Sequence, residues 1–205
     1  MNDTPRMILP GLSGKRIAIS AGAGGIGLCI ARELALQGAR LAICDVDPAA
    51  LEAAAAELGA EVAMLADVSA ETEVAAFFKA IETGMGGLDA LVNNAGIAGP
   101  TGGVDTISTA DWRRCIDICL TGQFLCTHYA VPMLRAAGGG AIVNMSSSAG
   151  RFGYAFRTPY ASAKWGVVGF TQSLAKELGP DNIRANAILP GIVAGPRIEK
   201  VIAAR

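Results

Sequence analysis

The chain has 205 residues, of which 52 % are hydrophobic and 17 % are charged, and its formal net charge is −1. This length is enough to bury the core of one domain, which we expect to span residues 1–205. The near-neutral charge gives no electrostatic basis for binding nucleic acid or an anionic membrane. No apolar run reaches about 18 residues, so no transmembrane helix is expected.

The first fourteen residues carry Asp3, Arg6 and two prolines, and they lack the apolar core of a secretory signal. We therefore expect residues 1–11 to be a loose N-terminal arm. Five cysteines without a disulfide-scaffold spacing favour the reducing cytoplasm.

Apolar runs of strand length alternate with helical patterns along the rest of the chain. Strands are predicted at 16–20, 40–45, 61–65, 90–93, 141–145 and 183–188. Helices are predicted at 25–37, 48–58, 70–83, 109–136 with a break, and 159–178. Gly38, Gly59 and Gly179 follow helices where a left-handed residue belongs. The alternation predicts a doubly wound parallel sheet of the α/β class, Rossmann-like, with helices on both faces.

A glycine-rich turn follows the first predicted strand and opens the first helix. Glycines let the backbone approach a pyrophosphate, and the N-terminus of the helix favours its negative charge. Gly-x-Gly-x-x-Gly is weak alone, but here it has the strand–turn–helix context of a dinucleotide site. A plain glycine-rich turn is the alternative. The predicted cofactor contacts in the turn are Gly22, Gly24, Gly25, Ile26 and Gly27.

Two aspartates follow the next predicted strands. Asp45 lies eighteen residues after Gly27, where a carboxylate accepts hydrogen bonds from ribose hydroxyls and repels a 2′-phosphate. It therefore favours NAD over NADP as cofactor. Asp67 is placed to accept a hydrogen bond from the adenine amine, and a turn-forming role is the alternative.

Tyr160 and Lys164 are four residues apart, so a helix places them on one face. A fixed ammonium near a phenol favours the phenolate, which makes the pair a candidate proton donor and acceptor near neutral pH. The alternative is an ordinary amphipathic helix with an exposed lysine. Ser147, thirteen residues before the tyrosine, strengthens the catalytic interpretation.

Cys115, Cys119 and His128 are a conceivable set of metal ligands. No tight Cys-x-x-Cys pair supports them, however, and small apolar fillers on a buried helix are the favoured interpretation. We predict no metal site.

With these motifs in order, the chain resembles the short-chain dehydrogenase/reductase family of the compact single-domain type over almost its entire length. The matching segments are residues 12–15, the glycine turn, 67–68, 93–96, 144–150, 160–164 and 186–191. The resemblance implies an oxidoreductase that interconverts a secondary alcohol and a ketone with NAD(H). Its substrate is a small molecule, and the chain assembles as a homo-tetramer or homo-dimer through segments 109–136 and 159–178.

The resemblance also assigns roles to individual residues. Tyr160 is the acid/base, Lys164 lowers its pKa and binds the nicotinamide ribose, and Ser147 orients the substrate oxygen. The further cofactor contacts that it implies are Asp67, Val68, Asn93, Ala95, Gly96, Pro190, Gly191 and Ile192.

Three departures from the family pattern stand out. Ser20 and Ala21 replace the usual Thr-Gly of the turn, which is tolerated if Ala21 needs no positive φ. Cys119 replaces an Asn that helps to hold a water in a proton relay to the lysine, although a backbone carbonyl at that position can still serve. The family continues for another strand and helix beyond the position of Arg205, so either a tail is missing from the sequence or the form is truncated.

The predicted substrate pocket is walled by Ile97, Ala98, loop 151–157, Ile192, Val193 and segment 197–204. Arg151 and Arg157 in this loop are interpreted as solvated surface residues, with an anionic substrate as the alternative. Two other functions stay open. One is an NAD-binding sensor or assembly partner with weak or no catalysis, and the other is epimerisation or dehydration on the same fold.

Overall fold

Six parallel strands form one sheet in the computed structural model, which describes residues 9–195, 199, 202 and 203. The strands are β1 (Arg16–Ser20), β2 (Arg40–Asp45), β3 (Val62–Leu65), β4 (Ala90–Asn93), β5 (Gly140–Met145) and β6 (Ile183–Ile188). Their order is β3-β2-β1-β4-β5-β6. Strands β2 and β3 extend the sheet to one side of β1, and β4 to β6 extend it to the other side, so the switch point lies between β1 and β4. The predicted doubly wound parallel sheet is confirmed, and ligands of such sheets bind at this switch point.

The helices agree with the predicted segments to within two residues at each end. They are α1 (Gly25–Leu36), α2 (Pro48–Leu58), α3 (Glu71–Met85), α4 (Thr109–Ile116), α5 (Gly122–Ala136) and α6 (Thr158–Leu178). The predicted break in segment 109–136 is a π-helical turn, Asp117–Thr121, between α4 and α5. Such turns are frequent at functional sites, and this one carries Cys119.

The core lies on both faces of the sheet because successive residues of a strand point to opposite sides. Ala18 of β1 packs in the cluster that includes Phe77 of α3 and Leu134 of α5. Its neighbours Ile17 and Ile19 pack in the second cluster, with α1 and α2. Burying one large apolar side chain such as Phe77 stabilises the fold by roughly 1.5–3 kcal/mol, so both layers hold the sheet rigidly under the site.

Two of the three predicted helix-ending glycines take the left-handed conformation, and Gly179 does not. Asp47 caps α2 by accepting hydrogen bonds from the amides of Ala49 and Ala50, both at 3.0 Å. The prediction that Gly179 ends α6 as a left-handed residue is wrong, since its φ is −55°. The chain instead continues into a 3₁₀ turn, and Asn182 takes the left-handed conformation with φ 58°.

Ala21 stands where the family has a glycine, and it adopts the positive φ that makes this replacement unfavourable. Its φ is 50°, a left-handed conformation that costs an alanine about 1 kcal/mol relative to glycine. The conformation is held by neighbours: Gly22 donates its amide hydrogen to Cys44 O at 3.1 Å, and the Asn94 side chain donates to Ala21 O at 2.9 Å. The turn therefore keeps its shape against a local strain.

None of the helices in the described part of the chain combines the length and apolar character needed to cross a membrane.

Candidate active site

A cleft of about 1080 Å³ opens at the carboxyl ends of the strands. Its volume is at the upper end of ligand pockets, which hold roughly 300–1,000 Å³. Ten of the predicted site residues line it: Gly24, Gly25, Ile26, Asp45, Gly96, Ser147, Tyr160, Pro190, Gly191 and Ile192. Eight lie outside its lining: Gly22, Gly27, Asp67, Val68, Asn93, Ala95, Cys119 and Lys164.

The first turn of α1 forms one wall of the cleft. Its N-cap residue is Gly24, so no side chain at this position caps the first amide groups of α1. Amide groups at a helix N-terminus have no intrahelical partner and bind anions. This donor set fits the pyrophosphate of a dinucleotide, and Gly24, Gly25 and Ile26 are the residues that would hold it.

Gly27 is essential to this turn because a side chain has no room there. A Cβ at Gly27 would lie 2.1 Å from Ala21 O and 2.5 Å from the Asn94 side-chain nitrogen. The close approach lets α1 start directly behind the turn. Gly27 therefore shapes the cleft without lining it.

The glycine turn is bound to the end of β4 by Ser20, which the sequence shows only as a departure from the family turn, and by Asn94, to which no role was assigned. The Ser20 hydroxyl accepts hydrogen bonds from the amides of Asn94, at 3.0 Å, and Ala95, at 3.1 Å. The Asn94 side chain donates back to Ser20 O and Ala21 O. The sequence signal for Asn94 was its position: it is a polar residue directly after β4, at the switch point of the sheet.

Asn93, predicted to contact the cofactor, lies in the protein interior with no exposed surface. Its side-chain amide donates to Asn144 Oδ1 at 2.9 Å and to Thr127 Oγ1 at 3.1 Å. Asn144 in turn donates to Thr171 Oγ1 at 2.9 Å. This network joins β4 and β5 to α5 and α6, so the Asn93 side chain holds together the elements that carry the site.

Asp45 lies at the cleft, half-buried at the end of β2. Its Oδ2 accepts a hydrogen bond from Ala23 N at 3.1 Å, and its Oδ1 accepts one from Val46 N at 2.8 Å. These contacts fix the carboxylate beside the glycine turn. Oδ1 also accepts a longer hydrogen bond from Asp47 N at 3.3 Å, so Oδ2 is the oxygen that keeps a lone pair for a further donor such as a ribose hydroxyl.

Asp67 and Val68 lie outside the cleft lining. Asp67 Oδ1 accepts from the amide of Ser69 at 2.9 Å and from its hydroxyl at 2.7 Å, which is the turn-forming arrangement. Val68 is buried against Gly122, at the start of α5. The contacts within the structure give both residues a local structural role.

Ser147, Tyr160 and Lys164 meet where β5 ends and α6 begins. Ser147 Oγ accepts a hydrogen bond from Ala149 N at 3.2 Å, and Ser147 and Tyr160 both line the cleft. Lys164 is only 3 % exposed, which excludes the exposed-lysine interpretation. Its Nζ donates to Met145 O at 2.7 Å and lies 5.8 Å from the centre of the Tyr160 ring. The ammonium group is therefore fixed beside the phenol.

Cys119 is fully buried behind this group. Its Sγ accepts a hydrogen bond from Ile97 N at 3.4 Å, and its carbonyl accepts one from Gln123 Nε2 at 3.3 Å. Gln123 Nε2 also donates to Met145 O at 3.1 Å, the carbonyl that holds Lys164. Gln123, which the sequence analysis missed, thus links the Cys119 carbonyl to the lysine. Its signal was a polar residue among the apolar positions of α5.

Of the three conceivable metal ligands, the two cysteines lie together and His128 lies apart from them. Cys115 and Cys119 are fully buried, whereas His128 is exposed and contacts the rings of Phe124 and Tyr129. A hydrogen bond with Cys119, together with burial, raises the pKa of the Cys115 thiol, so it stays protonated. Within the described ranges, no group of histidine, cysteine, aspartate and glutamate side chains could hold a metal ion.

Arg157 departs from the surface role predicted for it. It is 3 % exposed and lines the cleft, while Arg151 on the same loop is exposed as predicted. The Arg157 guanidinium carbon lies 5.1 Å from the Tyr160 ring centre and 5.4 Å from that of Tyr154. It also donates a hydrogen bond to the carbonyl of Ala98. The reason for its burial is this aromatic and carbonyl environment, which loop composition does not reveal.

The rest of the predicted pocket wall is reproduced in part. Ile192 and Val193 line the cleft, as do residues 152–154 of the loop. Ile97 and Ala98 lie outside the lining, Ile97 packing against the Cys119 cluster. Segment 197–204 lies outside the described residues except at positions 199, 202 and 203.

Several proteins of known name are similar to this chain in sequence or in fold. Trans-4-hydroxycyclohexanecarboxylate dehydrogenase of Sinomonas cyclohexanicum is 43 % identical over 87 % of this chain and 72 % of its own. The NAD(+) 2-dehydro-3-deoxy-L-rhamnonate dehydrogenase of Sphingomonas sp. strain SKA58 is 35 % identical over 92 % of this chain and 76 % of its own. The crystal structure of NAD+-bound xylitol dehydrogenase is 31 % identical with a TM-score of 0.89, covering 94 % of this chain and 75 % of that one.

The family model described as short chain dehydrogenase matches residues 15–204. That range includes the glycine turn, the cleft and the group of Ser147, Tyr160 and Lys164. The chain belongs to the short-chain dehydrogenase family.

Proposed function

We propose that this protein is an NAD(H)-dependent oxidoreductase that interconverts a secondary alcohol and a ketone on a small molecule. The observation that carries the proposal is the placement of Ser147 and Tyr160 on one cleft wall, with Lys164 fixed behind them, and of the α1 N-terminus on the same cleft. The dehydrogenase names of the relatives support the reaction class.

The side chains divide the chemistry between them. The Ser147 hydroxyl binds the substrate oxygen, and Tyr160 takes the proton of the alcohol as the carbonyl forms. When bound, NAD+ supplies the hydride acceptor. The Lys164 ammonium, held by Met145 O, stabilises negative charge on the phenol oxygen electrostatically. In the reverse direction the same phenol returns the proton to the oxygen.

The direct test is NADH fluorescence during incubation of the purified protein with NAD+ and a panel of secondary alcohols. The panel includes cis- and trans-4-hydroxycyclohexanecarboxylate, because relatives are named for both isomers. Turnover of at least one alcohol supports the proposal. Tight NADH binding without turnover of any alcohol would favour the alternative, a nucleotide-binding protein with weak or no catalysis.

We expect NAD to be preferred over NADP by tenfold or more in kcat/KM, which corresponds to about 1.4 kcal/mol. The reason is the Asp45 carboxylate, fixed at the cleft where a 2′-phosphate would lie. Asp45→Ala should narrow the ratio, measured as kcat/KM with each cofactor. Asp47→Ala is the matched control, because this residue caps α2 outside the cleft lining and should lower stability while leaving the ratio intact. Equal kcat/KM for both cofactors in the wild type contradicts the assignment.

We also propose that the chain assembles as a homo-dimer or homo-tetramer through α4, α5 and α6. These helices expose Trp112, Phe124 and Trp165 at 38 %, 49 % and 52 % of their surface, which is unfavourable in water. Light scattering at micromolar concentration should give the mass of two or four chains. A monomeric mass would overturn the proposal.

A further inference from the structure

We propose that Arg157 binds a carboxylate group of the substrate, so that the protein acts on hydroxy and keto carboxylic acids. This inference rests on the proposed alcohol–ketone chemistry and names the class of molecule on which that chemistry acts. It follows from the burial of Arg157, from its position and from the charges around the cleft.

Within the part of the chain that the structure describes, the buried charge of Arg157 has no counter-ion. The ion pairs formed within the described residues do not include it. Among the described residues its Nε–H has no acceptor, and its terminal Nη2 donates a hydrogen bond to the carbonyl of Ala98. A buried cation without an anionic partner is unfavourable, and a carboxylate that arrives with the substrate relieves this cost.

The position of Arg157 places that carboxylate near the reacting carbon. The guanidinium carbon lies 5.1 Å from the centre of the Tyr160 ring, against the proposed acid/base. The Tyr154 ring also contacts it, with its centre 5.4 Å from the guanidinium carbon. Arginine presents a planar set of donors that matches both oxygens of a carboxylate. One small molecule can therefore bring its hydroxyl to Tyr160 and its carboxylate to Arg157.

The acidic and basic residues that line the cleft lie on different walls. Its acidic lining residues, Glu33 and Asp45, lie on α1 and at the end of β2, beside the proposed nucleotide site. Arg157 lies at the other wall, and the buried ammonium of Lys164 lies behind it. Among the described lining residues no carboxylate lies on that second wall. A substrate anion is therefore attracted to the end of the cleft where the proposed proton transfer takes place.

The wild-type enzyme tests this inference with two probes of one shape. We expect kcat/KM for trans-4-hydroxycyclohexanecarboxylate to exceed that for its neutral carboxamide by about 30-fold, the scale of a charge-assisted hydrogen bond. The cis isomers form a second pair. If acid and amide react equally well in both pairs, the inference is wrong.

Variants separate recognition from a purely structural role. Arg157→Gln removes the charge and should reduce the ratio of kcat/KM for the acid to kcat/KM for the amide about 30-fold. If Arg157 only holds Tyr160 in place, the substitution lowers kcat/KM for both compounds alike, and that result would overturn the inference. Arg157→Lys keeps the charge and should retain part of the ratio. Arg151→Gln, an exposed residue of the same loop, is the matched control and should leave rates and ratio unchanged. Thermal melting checks that each variant folds, and if Arg157→Gln does not, the lysine variant and the wild-type probes still decide.

A binding measurement distinguishes failure of this inference from failure of the proposed function. Cyclohexanecarboxylate and cyclohexanecarboxamide carry no hydroxyl, so calorimetry with NADH present measures recognition without turnover. Binding of the acid in preference to the amide, lost in Arg157→Gln, supports carboxylate recognition even if no alcohol is oxidised, in which case only the proposed reaction fails. Oxidation of alcohols with no preference for acids in either assay leaves the reaction standing and removes the inference.

Discussion

Tyr160→Phe is expected to lower kcat by about 10²-fold or more, the usual scale for loss of a general acid/base. The substitution keeps the ring that contacts Arg157 and Lys164, at 5.1 Å and 5.8 Å from its centre, and removes only the hydroxyl. The fold and the nucleotide wall of the cleft should therefore persist. The measurement is kcat with the best alcohol of the panel, beside a fluorescence titration of NADH.

The control for this variant is Tyr129→Phe. Tyr129 lies on α5 outside the cleft lining, and its hydroxyl contacts Glu71 at 3.4 Å. Its loss should leave kcat unchanged. If Tyr160→Phe retains most of the activity while Tyr129→Phe behaves like the wild type, proton transfer belongs to another group in the cleft.

The sheet was predictable because the signals for it are local. Each strand is a short apolar run, and some helix ends are marked by a neighbouring residue, as Asp47 marks the start of α2. The glycine turn between β1 and α1 needs only nearby sequence to be recognised. Local chemistry was insufficient at the end of α6, where Gly179 continues into a 3₁₀ turn and Asn182 takes the left-handed conformation.

The interior of the site was less predictable because its contacts join distant segments. Asn93 bonds to Asn144, 51 residues later in the chain, and Gln123 bonds to Met145 O, 22 residues away. Neither distance leaves a periodic signal in the sequence. Asn93 follows a strand, as cofactor contacts do, yet its side chain turns inward to satisfy the polar groups between β4 and β5.

The burial of Arg157 was also not predictable from the sequence, because it depends on contacts made in the folded structure. A loop with two arginines and several aromatic residues predicts solvated charges, and Arg151 is indeed exposed. Arg157 is buried because Tyr154 and Tyr160 contact it and Ala98 accepts its hydrogen bond. Ala98 is 59 residues away in the chain, so its carbonyl could be assigned to Arg157 only from the folded structure.

Gly27→Ala is expected to destabilise the protein and to weaken NADH binding strongly. In a helix interior, alanine is favoured over glycine by about 1 kcal/mol, so propensity alone predicts a gain. Here the new Cβ would lie 2.1 Å from Ala21 O and 2.5 Å from Asn94 Nδ2. Overpacking of this kind costs about 1–3 kcal/mol or more, which outweighs the propensity term.

The turn has little freedom to relieve the clash. Ala21 is already in a left-handed conformation, and its carbonyl is held by the Asn94 side chain at 2.9 Å. Relief therefore requires moving the glycine turn, whose shape sets the wall that would hold the pyrophosphate. With a net cost of about 2 kcal/mol after the propensity term, and about 2–4 °C per kcal/mol at this chain length, we expect a fall in Tm of about 4–8 °C, together with loss of NADH affinity.

Gly169→Ala is the matched control, since this glycine lies on the exposed side of α6 and a Cβ there meets no atom within 4 Å. It should leave NADH affinity intact; because α6 also belongs to the proposed interface between chains, its Tm is compared once light scattering shows that the mass of the assembly is unchanged. Thermal melting and fluorescence titration of both variants measure the two effects. If Gly27→Ala melts and binds NADH like the wild type, then α1 can shift away from the turn without cost, and the close contact between Gly27 and Ala21 is not what shapes the nucleotide wall.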